Sequence, residues 1–227
     1  MRMRKALLII FISMILLLST QSAFCQKENQ PVKKSKPKES AEQYLQAAEQ
    51  GDTKAQIKIA ELYATGQGVK ADLDRAFYWF SQASQKNDPE ANFKLGILYS
   101  KNRQGRQDFT KAYQFFKNAA EMDHLDAQIR LAYIYEKGLG INKNLQKSFH
   151  WYEKAAEKNH PRAQYKLGLA YLNGYGVEKD VPHAIAWLES AAKQGSRLSD
   201  VYQRKLKSKV SAIELAEARQ DVSNIIS

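Results

Sequence analysis

The residues that could do chemistry in this chain are few: four histidines, one cysteine and three Gly-x-Gly pairs. Hydrolysis by a nucleophile or a metal needs His beside Ser, Cys or a carboxylate in a fixed constellation, or a ligand set such as HExxH. None of these is written here. His124 and His160 stand 36 residues apart at expected helix starts, where they cap or meet solvent. His150 and His183 fall on later helices, away from a matched carboxylate and nucleophile. Gly66-Gln67-Gly68, Gly138-Leu139-Gly140 and Gly174-Tyr175-Gly176 share only their glycines with a phosphate loop, which also needs a preceding strand. The expectation is a chain that is not an enzyme, with no cofactor and no metal.

What positions these residues is a repeat. Trp79, Phe115, Trp151 and Trp187 recur every 36 residues, and Tyr63, Tyr99, Tyr135 and Tyr171 keep the interval. So do the small residues Ala60, Gly96, Ala132 and Gly168. A period of about 20 to 50 residues marks a solenoid, whose units bury their apolar faces only by stacking. Within each period the spacing predicts a first helix with an apolar side such as Ala91, Leu95, Leu98 and Tyr99. It opens near Asp52, Asp88, His124 or His160, with Pro89 and Pro161 suited to the first turn. A glycine ends it by taking positive φ, and Val69, Ile141 or Val177 then returns to the core. Unit two has Asn102-Arg103-Gln104-Gly105 at this place, a loop without that plug.

Asp72, Asp108, Asn144 and Asp180 open the second helices as N-caps. The tryptophans are read as seam-filling core residues, and the Ala60 series as the place where a neighbouring helix comes close. The units run 52–87, 88–123, 124–159 and 160–195, after a half-unit cap at 41–51. Capping helices fill 196–227, the last opened by the capping box Ser211-Ala212-Ile213-Glu214, with Ile213, Leu215, Ala216 and Ala218 as its apolar side.

Arg2, Arg4 and Lys5 precede an apolar run from Ala6 to Leu18, too short for a membrane span and shaped as a signal peptide over 1–25. The expectation is a periplasmic or secreted protein with no transmembrane span in the mature chain. Cys25 is either the last residue removed or, alternatively, a lipidated first residue. Residues 26–40, with Lys27, Lys33, Lys34, Lys36 and Lys38 and hardly an apolar group, read as a disordered basic linker. A formal charge of +11 favours an acidic envelope surface or polymer, met through this tail. Nucleic acid is not expected, since basic and aromatic residues do not alternate as a stacking platform requires.

The patterns Ala-x3-Leu-Gly-x2-Tyr, Gly-x-Gly-Val, Asp-x3-Ala-x2-Trp and a closing Ala-Ala resemble the Sel-one-like repeat, a relative of the tetratricopeptide repeat. The resemblance implies an all-α fold, a right-handed α-α superhelix, and an adaptor that holds a protein or peptide partner on a concave face lined by the first helices. By the same period that face comprises Lys54, Glu90, Asp126 and Arg162; Ile57, Phe93, Ile129 and Tyr165; and Glu61, Ile97, Tyr133 and Leu169. Aromatic and charged groups together suit capture of a peptide or helix. Phe93 and Tyr165 equally suit filling the bend between units. Some relatives are cysteine-rich and associated with β-lactams; those cysteines are absent here. Two functions follow: an exported interaction scaffold for an envelope or host protein, or a cell-wall-associated protein that binds or modifies peptidoglycan or another anionic polymer.

Overall fold

Helix starts and stops follow from local capping chemistry. The computed structural model describes residues 41–101 and 107–226, in which eleven α-helices follow one another without a strand. They are α1 (Ala41–Glu49), α2 (Thr53–Thr65), α3 (Leu73–Ser84), α4 (Pro89–Ser100), α5 (Phe109–Glu121), α6 (Leu125–Lys137), α7 (Leu145–Glu157), α8 (Pro161–Asn173), α9 (Val181–Lys193), α10 (Arg197–Lys207) and α11 (Ala212–Ile226). Consecutive helices from α1 to α10 pack on one another, as a solenoid requires. The expected signal peptide, Cys25, the basic linker and the unit-two loop at 102–105 lie outside the described residues.

First-turn amides would be left unsatisfied without side-chain acceptors. Asp72, Asp108, Asn144 and Asp180 supply them at 3.0, 2.9, 2.8 and 2.9 Å. Asp52 and Asp88 do the same for α2 and α4, and His124 Nδ1 accepts from Ala127 N for α6. His160 makes no such bond. Gly66, Gly138 and Gly174 end their helices in the left-handed region, and the second glycine of two pairs has a separate reason. A Cβ on Gly140 or Gly176 would overlap the backbone at Phe109 or Leu145, because each loop rests on the start of the previous second helix.

The seam differs from expectation in one register. Trp79 and Trp187 are buried, but Phe115 and Trp151 are only half-buried. The deepest large side chains sit one residue later, at Phe80, Phe116, Tyr152 and Leu188. A helix buries a narrow stripe, and here the stripe is centred on this second series. Each knob meets the small residue twenty places earlier: a Cβ on Gly96 would stand 2.7 Å from Phe116, and one on Gly168 would stand 2.7 Å from Leu188. Between units, Phe77–Tyr99, Tyr113–Tyr135 and Phe149–Tyr171 meet edge-on at 5.0, 5.7 and 5.4 Å.

Buried amides join the same units. Gln56, Gln128 and Gln164 each donate to a carbonyl at the end of the preceding second helix, those of Ala48, Ala120 and Ala156. Each of those carbonyls also accepts a backbone N–H of the turn that follows, from Gly51, Asp123 and Asn159, so the buried amide shares a helix-end acceptor and finds its own partner there.

At the end of the chain, α10 starts one period after α8, whereas α11 packs chiefly on α9. Ser211 and Glu214 form the capping box, with Glu214 N to Ser211 Oγ at 3.3 Å and Ser211 N to Glu214 Oε2 at 3.1 Å. The buried side of α11 is Leu215, Ala218 and Val222. Ile213 and Ala216 are exposed, against expectation, because α11 turns the 215, 218, 222 stripe toward α9. Glu189 pins both caps, accepting from Lys207 at 2.7 Å and from Arg219 at 2.7 Å.

The knob-in-hole seam makes a measurable demand. Gly168→Ala gains about 1 kcal/mol of helix propensity yet overpacks Leu188, and a net loss of about 1 to 3 kcal/mol is expected in urea unfolding. On a Leu188→Ala background the same substitution should cost less. An equal cost on both backgrounds would refute the seam.

Candidate functional site

Side chains on the solvent side of the first helices α2, α4, α6 and α8 are those the core leaves over. Of the residues expected there, Lys54, Asp126 and Arg162 are exposed, while Glu61, Ile97, Tyr133, Tyr165 and Leu169 are half-buried. Ile129 departs from its series. It is 5% exposed and packs with Ala132, Tyr152 and Leu167, so it belongs to the core and offers nothing to a partner. Ile57 and Phe93 are partly buried against neighbouring core residues. Phe93 stacks on His124 at 4.5 Å and leans on Phe116 at 5.8 Å, filling the bend between two units.

Much of the charge on this surface is already spent. Lys94 Nζ lies 2.7 Å from Glu61 and 3.2 Å from Glu90, whose other oxygen is 2.8 Å from His124 Nε2. Burial alone would lower the Lys94 ammonium, but its hydrogen bonds to Glu61 and Glu90 outweigh that and hold it above its ordinary value. Burial would likewise raise Glu90, and His124 and Lys94 together pull it below the ordinary carboxylate range. Two units on, Glu136 accepts from Lys166 at 2.9 Å and from the Tyr152 hydroxyl at 3.0 Å. Burial favours its neutral form, yet Lys166 and Lys137 hold it low. Burial first, then Glu136, pushes the Tyr152 phenol up.

The cations of this network, Lys58, Lys94 and Lys166, keep the 36-residue interval together with Arg130 and were legible by it, though the sequence reading passed them over. Arg130 and Arg162 are exposed and make no ion pair among the described residues. With Tyr133, Tyr165 and Leu169 they compose an open surface of cations and half-buried rings over α6 and α8. A cleft of about 330 Å³ lies between α2 and α4, with Glu61 and Ile97 in its wall. Another hollow, of about 790 Å³, lies between α9, α10 and α11, where Glu189, Lys207 and Arg219 satisfy one another.

The histidines take structural places. His183 corrects the sequence reading: it lies 2.9 Å from Asp180 and 3.5 Å from Asp221. His150 is exposed, 3.9 Å from Glu153. His160 Nδ1 is buried without a partner, and burial lowers its affinity for a proton, opposed by Asp126. Among the described residues, no three or more His, Cys, Asp or Glu side chains converge as a metal site would need. Also among them, no helix is long and apolar enough to cross a membrane.

Stacked helical hairpins with self-satisfied seams and an open row on the first helices define an α-solenoid. The chain belongs to the Sel1 repeat family, whose pattern matches residues 30–52, 53–88, 89–124, 125–160 and 161–196. Among solved structures it is similar to c5321, a protective antigen of uropathogenic Escherichia coli strains with an SLR fold. The two are 30% identical with a TM-score of 0.73, over 86% of this chain and 42% of c5321. It is also similar to a Sel1 repeat protein from Oxalobacter formigenes, at 28% identity and a TM-score of 0.66, over 73% of this chain and 48% of that one. The chain therefore spans less than half the length of either relative. No curated protein matches it. Repeats of this family commonly mediate protein–protein interaction, on a scaffold that is generally non-catalytic.

The paired carboxylates give the surface an acid limit. Glu90 and Glu136 are held low in the folded chain, so their stabilisation is present at neutral pH and is lost as pH falls through those lowered values, below about pH 5. Glu136→Gln should lower the melting temperature at pH 7 and flatten its decline between about pH 5 and pH 2, read by thermal denaturation followed by circular dichroism. An unchanged acid slope would show that the Lys166 pair contributes nothing.

Proposed function

We propose that this protein is an exported, non-catalytic adaptor that holds a peptide or helix of an envelope or host protein against its first helices. The observation that carries this is the open set of Tyr133, Tyr165, Leu169, Arg130 and Arg162. Its rings are half-buried and so held in place, and its arginines have no carboxylate of their own among the described residues. Fixed aromatic anchors beside unpaired arginines are what protein hot spots are made of, because little entropy is lost on binding and each arginine gains a new partner. Lys54, Glu61, Glu90, Ile97 and Asp126 extend the same surface toward the amino terminus. Export is supported by the basic head and apolar run of residues 1–18, and it suits the antigen role of c5321.

A second reading has its own support in the five lysines of 26–40 and the +11 formal charge, which suit an anionic wall polymer. Salt separates the two. Polymer capture through the tail weakens steeply with ionic strength, whereas aromatic anchoring persists.

A photo-crosslinking amino acid placed at Tyr133 in the native cell should give a discrete protein adduct that survives deletion of residues 26–40. Arg130→Glu should abolish it, and the same probe at exposed Tyr78 should not give it. Adducts with wall polymer alone, lost with the tail, would replace the adaptor by the second reading.

A further inference from the structure

Helix α10 is built inside out. Its buried side chains are Ser199 and Gln203, at the positions where α8 has Ala163 and Leu167, and Gln203 Oε1 finds no partner. Three of its four apolar side chains face solvent, with Leu206 half-buried: Leu198 is 61% exposed, Val201 64% and Tyr202 39%. These three are spaced as i, i+3 and i+4 and so form one stripe. Counting back one period, Leu198 and Val201 hold the places of Arg162 and Tyr165, and the Tyr202 ring lies 6.3 Å from that of Tyr165. The stripe therefore prolongs the row on α8. It stays open because α11 packs on α9.

The charge around the stripe selects its occupant. Arg204 is taken by Asp200 at 2.7 Å and Lys207 by Glu189 at 2.7 Å. Arg197, Lys205 and Lys209, with Arg162 beside them in the row, make no ion pair among the described residues. A second copy of the chain would set like charges against each other across the stripe, and the lysine-rich 26–40 segment carries the same wrong sign. The apolar surface continues from α10 to the neighbouring α8, which suits a rod-like ligand laid across both helices better than a flat lipid surface.

We propose that Leu198, Val201 and Tyr202 dock the apolar side of an acidic amphipathic helix from a partner protein, with Arg162, Arg197 and Lys205 meeting its carboxylates. This rests on the first-helix row being the partner surface, and it specifies the partner's chemistry. α10 is about 16 Å long and so matches roughly three turns of such a helix.

The test titrates the purified full chain with a fluorescent helical peptide carrying Leu at i, i+3, i+4 and i+7 and Glu elsewhere, against a twin with Lys in place of Glu. The Glu peptide should bind at least about tenfold more tightly than its twin, and Leu198→Ser with Val201→Ser should remove about tenfold or more of its affinity. Lys205→Glu should narrow the preference. All three positions are exposed, and circular dichroism verifies that the variants keep their helices. Equal binding of both peptides overturns the proposal, as does an unaffected serine variant. It is also overturned if light scattering shows a dimer that the serine pair dissociates, or if only anionic lipid vesicles bind through the stripe. A Tyr133 adduct that persists while the peptides fail sinks this proposal alone. Loss of that adduct with peptide binding intact sinks the adaptor reading of the central row instead.

Discussion

The structure depends on one steric constraint: a large side chain on each second helix must enter a gap left by a small residue on the first. Phe80, Phe116, Tyr152 and Leu188 are the large partners, and Ala60, Gly96, Ala132 and Gly168 leave the gaps. Neither element holds alone, since a single hairpin exposes the other side of each helix to water. The edge-on pairs of Phe77, Tyr113 and Phe149 with the next unit's tyrosines then transmit the register along the stack. The buried amides of Gln56, Gln128 and Gln164 fix it further, because a slip would leave a buried amide without its acceptor.

The interval alone made most of this legible. Caps, helix-ending glycines and close-approach residues are dictated by local chemistry, so the side chain type at a given place in the period suffices to recognise them. The knob series was harder. Its members differ in chemistry, from Phe to Tyr to Leu, and share only size, while the adjacent tryptophans attract attention by type. Burial follows size and direction, so Trp151 and Phe115 lie half-open beside buried Tyr152 and Phe116. The unit-to-unit turns were also missed. Asn87, Asp123 and Asn159 take positive φ where the end turns use Gly51 and Gly195, and a polar residue tolerated in that region announces itself less plainly than glycine.

The candidate surface was legible in position and not in state. Counting one period places Ile129 beside Phe93 and Tyr165, yet Ile129 is in the core. Nor does counting reveal that Lys94 is shared by Glu61 and Glu90, or that Lys166 serves Glu136. Such pairing depends on which helix stands next to which. It also decides what recognition can use: a cation already bonded within its own chain must give that bond up to serve a partner, whereas Arg130 and Arg162 give up only water. Unspent charge therefore concentrates on the α6 and α8 part of the row.

Ends are where a solenoid has to break its own rule. The last hairpin cannot be covered by another unit, and here the solution separates two tasks that an ordinary unit combines. α11 covers the apolar side of α9 with Leu215, Ala218 and Val222, which closes the core. α10 keeps the first-helix register but has no second helix paired along it. Packed on α9, it buries the polar Ser199 and Gln203, which bond locally to Ser196 and Asp200, while Glu189 holds it through Lys207. Closing the core at α9 is thus what leaves Leu198, Val201 and Tyr202 in water, and the exposure of the row's end is a consequence of how the stack is sealed.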